Sequence, residues 1–162
     1  MEDSQVYSQE EIPSFDELMD GLSDEEVTQL SNYTKQAEYI PGETIFYENE
    51  PGNALYIIQA GSVEISKISD LEGREYMPLI TLKEGNVFGE MSFLSEGQTS
   101  ASAVANTHVS VFKISREDFN HMISNHPRLA CSIYRALSKI LVYRLRRADE
   151  KTKNLIEQNK KD

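Results

Sequence analysis

The chain has 162 residues, 39% apolar and 27% charged, enough for one domain with a true core and one long additional element. No stretch approaches the ~18 uninterrupted apolar residues of a transmembrane helix, and MEDSQVYSQEE lacks the basic and apolar regions of a secretory signal. The net charge of −11 is divided: residues 1–116 hold 6 Lys/Arg against 21 Asp/Glu, and residues 117–162 hold 10 against 6. So acidic a body argues against non-specific nucleic-acid binding, because phosphates would be repelled. Cys131 is the single cysteine; it forbids an internal disulfide or a cysteine-rich metal site and fits a reducing cytoplasm.

Residues 1–13 carry few apolar anchors and are expected to be a flexible N-terminus. Ser14 and Glu17 frame FDELMDGL, and Ser23 and Glu26 frame DEEVTQLSNYTKQ, two capping-box patterns, with Val27 and Leu30 on one face of the second helix. From about Ala37 the period becomes two. AEYI, TIFY, ALYIIQA, SVEISKI, EYMPLITL, TSASAVAN and HVSVFKI are short runs separated by PGE, ENEPGN, AG, DLEGR and KEGN, all good turn chemistry. Val63 and Ile65 alternate with Ser62, Glu64 and Ser66, as one buried face requires. Seven of the eight glycines lie between Gly42 and Gly97, which confines the strands to the middle of the chain. The reading is a mainly β domain with flanking helices, an antiparallel sandwich or barrel.

Ser115 opens REDFNHMISNH, and Pro127 ends that helix and starts the last one, which runs to about Gln158. Leu129, Ile133, Leu137 and Ile140 make a wide apolar stripe suited to docking on the body. Tyr134, Leu141 and Ala148, with Leu145 at the complementary heptad position, make a narrower seam expected to form a homodimeric coiled coil. Arg144, Arg146, Arg147, Lys151 and Lys153 read as support for that dimer through the helix dipole and interhelical pairs, in preference to a docking stripe for an acidic partner or lipid headgroups. Two units are thus expected, 14–126 and a C-terminal helix over 127–162.

Two segments carry a resemblance: PGETIFYENEPGNALYIIQAGSVEISK (41–67) and GNVFGEMSFLSEGQTSASAVANT (85–107), followed by VFKISREDF. Over about residues 24–158 the chain resembles the cyclic-nucleotide-binding domain of the catabolite-activator and kinase-regulatory-subunit superfamily. The resemblance implies a double-stranded β-helix (jelly-roll) barrel followed by a long dimerisation helix. It also implies a phosphate-binding cassette beginning at Gly89 and Glu90. Gly89 would let the backbone approach a ligand closely. Glu90 would accept from a ribose 2′-hydroxyl, and the turn over Glu90, Met91 and Ser92 would aim N–H groups at a phosphate. The lid turn of the last helix would fall at Ala148 and Asp149.

The arginine that closes this cassette in the family is absent. Its place falls on Thr99 or Ser100, and residues 84–112 contain no Lys or Arg. A hydroxyl supplies neither charge nor a planar fork, and losing a charged partner costs about 1.5–3 kcal/mol, roughly ten- to hundredfold in affinity. The expected ligand site is therefore Gly89, Glu90, Met91, Ser92, Thr99 and Ser100, with no cofactor assured and cAMP or cGMP bound only weakly. One reading is a regulatory sensor of a purine cyclic nucleotide or nucleoside, acting through an unknown signalling partner by moving its helix. The alternative is a nucleotide-blind dimeric scaffold. The chain stops at Asp162 without room for a helix-turn-helix domain, so no DNA or membrane partner is expected, and the Met start and KNLIEQNKKD end fit a stand-alone protein. His108, His121 and His126 form no metal pair, and no catalytic motif occurs, so the chain does not read as an enzyme.

Overall fold

The computed structural model describes residues 14–70, 72 and 74–160; the segment 1–13 expected to be flexible lies outside the described residues, as do Leu71 and Gly73 of the DLEGR turn. Both capping boxes form. Ser14 Oγ accepts from the Glu17 amide at 3.2 Å, and Ser23 Oγ does the same for Glu26. The glutamates accept in return from the serine amides at 3.4 and 2.9 Å. These caps start α1 (Phe15–Leu18) and α2 (Asp24–Ser31). Leu30 packs partly onto the core, but Val27 is 53% exposed, so the face read across α2 is only half used.

Eight strands follow: β1 (Lys35–Tyr39), β2 (Thr44–Phe46), β3 (Ala54–Ala60), β4 (Val63–Ile68), β5 (Tyr76–Leu82), β6 (Val87–Phe88), β7 (Ser102–Ala105) and β8 (Val109–Ser115). The short α3 (Glu90–Ser95) lies between β6 and β7, and α4 (Arg116–Asn125) and α5 (Pro127–Asn159) complete the chain. The strands form two four-stranded antiparallel sheets, ordered β1-β8-β3-β6 and β2-β7-β4-β5. This is the mainly β roll expected. The β6 strand is an addition: two residues are too few to show a period. The alternation read through Ser66 fails there. Ser66 is buried opposite Ser102, where the β4–β5 register slips by one residue after Ile65.

The β3 strand explains the layering. Ala54, Tyr56 and Ile58 face the opposite sheet, in a cluster with Val63, Leu82, Phe88 and Val111. Leu55 and Ile57 face the helices, in a cluster with Phe119, Met122, Leu129, Ile133 and Leu137. A strand covered on both sides reads as the unbroken apolar run ALYII. The first half of α5 is thus core of the body, clamped beside α4. Pro127 sits in the first turn of α5, where its missing N–H costs nothing.

Candidate functional site

The cassette is shaped by close backbone approaches. Gly89 caps α3 with φ +76°, and a Cβ there would meet Ala54 O at 2.9 Å and the Tyr56 ring at 3.1 Å. At Gly52 a Cβ would fall 2.0 Å from the Ser92 side chain, so the β2–β3 loop lies directly on α3. Arg116, at the start of α4, fastens this corner. Its guanidinium donates to Phe93 O at 2.8 Å, Ser92 O at 2.9 Å and Gly52 O at 3.0 Å. The late carbonyls of a six-residue helix are otherwise orphaned, and one planar fork satisfies two of them and the loop together.

Gly89, Glu90, Met91, Ser92, Thr99 and Ser100 all line one cavity of about 460 Å³, within the range of small-molecule sites. Their roles differ. Thr99 is buried, and its hydroxyl accepts from the Glu50 amide and donates to Tyr47 O. It stitches the β2–β3 loop in place. Ser92 is buried and donates to Gly89 O at 3.3 Å. Ser100 and Met91 are exposed and touch each other through Oγ and Sδ at 3.5 Å. Ser100 therefore keeps its hydroxyl at the cavity while that of Thr99 is spent on the loop.

The floor is aromatic and aliphatic. Phe46, Phe88 and Leu82 line the cavity, and Phe88 stacks on Tyr56 with centroids 4.8 Å apart. Burial, then the charges of Tyr39 and Glu50, push the Tyr56 hydroxyl up to about 12. That phenol therefore stays neutral beneath the site.

The remaining wall is the second half of α5. Tyr143, Arg144, Arg147, Ala148 and Lys151 face the cavity, positions that fall on one side of a helix. Glu90 is only 3% exposed, and Arg144 forms a close ion pair with it while also donating to Val87 O at 2.6 Å. A buried carboxylate needs such compensation. Of the basic cluster read as dimer support, Arg144, Arg147 and Lys151 line this cavity. Their i, i+3, i+7 spacing is visible in the sequence, but which face it serves is not. Lys67 of β4 also lines the cavity, 3.9 Å from Glu48.

The residues read as a dimer seam are divided in this single chain. Ala148 lines the cavity, and Tyr134 meets Phe119 edge-on at 5.0 Å. Leu141 is half-buried, and Leu145 is 63% exposed. Asp149, placed with Ala148 at the lid turn, is exposed and does not line the cavity. Among the described residues no group of three or more His, Cys, Asp or Glu could hold a metal ion, and no helix is long and apolar enough to cross a membrane.

The family profile of the cyclic nucleotide-binding domain matches residues 36–126, from β1 through α4. This chain belongs to the cyclic nucleotide-binding domain family. The cyclic AMP receptor protein of Thermus thermophilus is 39% identical over 132 residues, 82% of this chain and 58% of that protein. The chain thus spans about three fifths of the length of the curated relatives it matches first. Among solved structures, the Thermus thermophilus catabolite activator protein superposes with a TM-score of 0.72 at 36% identity, over 85% of this domain's chain and 62% of its own. The regulatory subunit of a cAMP-independent protein kinase A from Trypanosoma cruzi, bound to guanosine, superposes with a TM-score of 0.58 at 34% identity, over 67% of this chain and 38% of its own.

Proposed function

We propose that this domain senses a purine nucleoside or cyclic nucleotide, seated in the cassette cavity with a ribose hydroxyl on Glu90, and reports it to a partner protein through α5. The observation that carries the reading is the Glu90–Arg144 pair. One carboxylate serves both as the ligand's hydroxyl acceptor and as the anchor of the helix. A hydroxyl donating to Glu90 competes with Arg144, loosens the second half of α5 and shifts its population toward another packing. That half contains no fully buried residue, so the shift is inexpensive. The apolar floor suits a purine face, and the cation-free cassette suits a ligand of little charge at that wall. The guanosine held by the cAMP-independent Trypanosoma cruzi relative supports this class.

The exposed Val142, Leu145 and Ile156 follow the outer side of α5, a surface fitted to a second copy of the same helix in a homodimer. The lone exposed thiol of Cys131 suits a reducing cytoplasm.

Isothermal titration with cAMP, cGMP, adenosine and guanosine tests the reading. Saturable heat with at least one is expected; none at high micromolar ligand overturns it. Ser100→Arg places the absent cation at the cavity and is expected to raise cyclic-nucleotide affinity by about tenfold or more.

A further inference from the structure

Apart from Lys67 of β4, which lies 3.9 Å from Glu48, the charges that line the cavity are segregated among the described residues. Residues 84–112, which include the whole cassette wall, contribute a carboxylate at Glu90 and no cation. The facing wall of α5 contributes Arg144, Arg147 and Lys151. Arg144 is committed to Glu90 and Val87 O. Arg147 and Lys151 stand about 4 and 10 Å farther along the helix axis, from the rise per residue. Arg147 also pairs with the largely exposed Glu150 at 3.8 Å.

This arrangement discriminates between two forms of one nucleotide. In a 3′,5′-cyclic nucleotide the phosphate closes onto the carbon adjacent to the 2′-hydroxyl. Seating that hydroxyl on Glu90 holds the phosphate against a carboxylate and a wall without cations. The ring also esterifies the 3′-oxygen, leaving one ribose hydroxyl to donate. A nucleoside 5′-monophosphate has neither handicap. Both its 2′- and 3′-hydroxyls can donate to a carboxylate, which accepts at two oxygens. Its phosphate hangs on a rotatable arm that can swing to the opposite wall, and it carries about 1.5 to 2 negative charges near neutral pH.

Building on the sensor reading above, we propose that the cavity takes a purine nucleoside 5′-monophosphate in preference to the 3′,5′-cyclic form, with the ribose diol on Glu90 and the phosphate on Arg147 and Lys151 of α5. The ligand then bridges the β roll and the helix. The cation that the cassette lacks is supplied from the wall that moves.

The test compares AMP, adenosine and cAMP, and their guanine counterparts, by isothermal titration on the full chain at low and high salt. AMP or GMP is expected to bind at least about tenfold tighter than its nucleoside and its cyclic form, the gain of a charged hydrogen bond. Added salt should shrink that advantage. Replacing Arg147→Ala together with Lys151→Ala should abolish it, so that monophosphate and nucleoside bind the double variant with the same affinity. Circular dichroism checks that the double variant folds, and the three-ligand comparison needs no substitution. If the monophosphate gains nothing over the nucleoside, if the cyclic form binds as tightly or tighter, or if the double variant retains the advantage, this inference is overturned while the sensor reading stands. If none of the ligands binds, the sensor reading falls and takes this one with it.

Discussion

The two halves of α5 are one uninterrupted helix with opposite occupations. Residues 127–140 bury Leu129, Ala130, Ile133, Ala136, Leu137 and Ile140 against the sheet and α4. Residues 141–159 bury no side chain fully, line the cavity with Arg144, Arg147 and Lys151, and turn Leu145 and Ile156 to solvent. Continuity of backbone hydrogen bonding does not impose continuity of stability. The first half shares the cooperative core, whereas the second is held by an ion pair and a few cavity contacts. Segments of that second kind are the ones a ligand can move.

The largest expected break in this comparison is in the first half. Leu137 is fully buried, and Leu137→Ala should cost about 2–5 kcal/mol by loss of packing and creation of a cavity. It should lower the urea midpoint by a matching amount. A loss below about 1 kcal/mol would show that the first half is not core.

Next comes the joint between the halves. Arg144→Ala leaves Glu90 buried without its cation and should cost about 2–3 kcal/mol in the ligand-free protein. Nucleoside affinity should rise in the same variant, because the competitor for Glu90 is gone. A fall would mean that Arg144 helps to hold the ligand.

Alkaline pH should act on the body through its buried tyrosines. The Tyr56 phenol ionises near 10.0 when unfolded and at about 12 when folded, and burial raises Tyr39 as well. Between those values the unfolded state holds fewer protons. Stability is therefore flat up to about pH 10 and falls by about 2–3 kcal/mol as pH rises to 12. Tyr56→Phe should flatten most of that decline in melts taken across the range.

The smallest effect on stability belongs to the outer face. Leu145→Arg should change folding free energy by no more than about 0.5 kcal/mol yet convert a dimer to a monomer in light scattering. A monomeric parent, or an unchanged mass, removes the proposed association.

Much of this molecule is legible in local sequence. Each capping box forms where Ser14 and Ser23 precede a glutamate three residues on, because a cap is decided within one turn. Strand runs and turns likewise follow from residue type and period, and the cassette positions from Gly89 to Ser100 converge on one cavity. The exceptions are long-range. Thr99 has the same chemistry as Ser100, and only the β2–β3 loop some fifty residues earlier decides that the Thr99 hydroxyl is consumed. Ser66 leaves the alternation because β5 slips in register. Arg116, which ties α3 to that loop, carries no local signal of its role.

The sequence alone determined the β roll, the two-helix end, the family and the absence of an arginine in the cassette, because each rests on nearby residues or on their spacing. It also displayed the basic row on the last helix. Only the tertiary structure decided where that row points. Helical periodicity places Arg144, Arg147 and Lys151 on one face but leaves open whether that face meets a second helix or the roll. The body settles it, because docking of Leu129, Ile133 and Leu137 fixes the rotation of the whole helix. That rotation carries Arg144 to Glu90, 54 residues earlier in the chain.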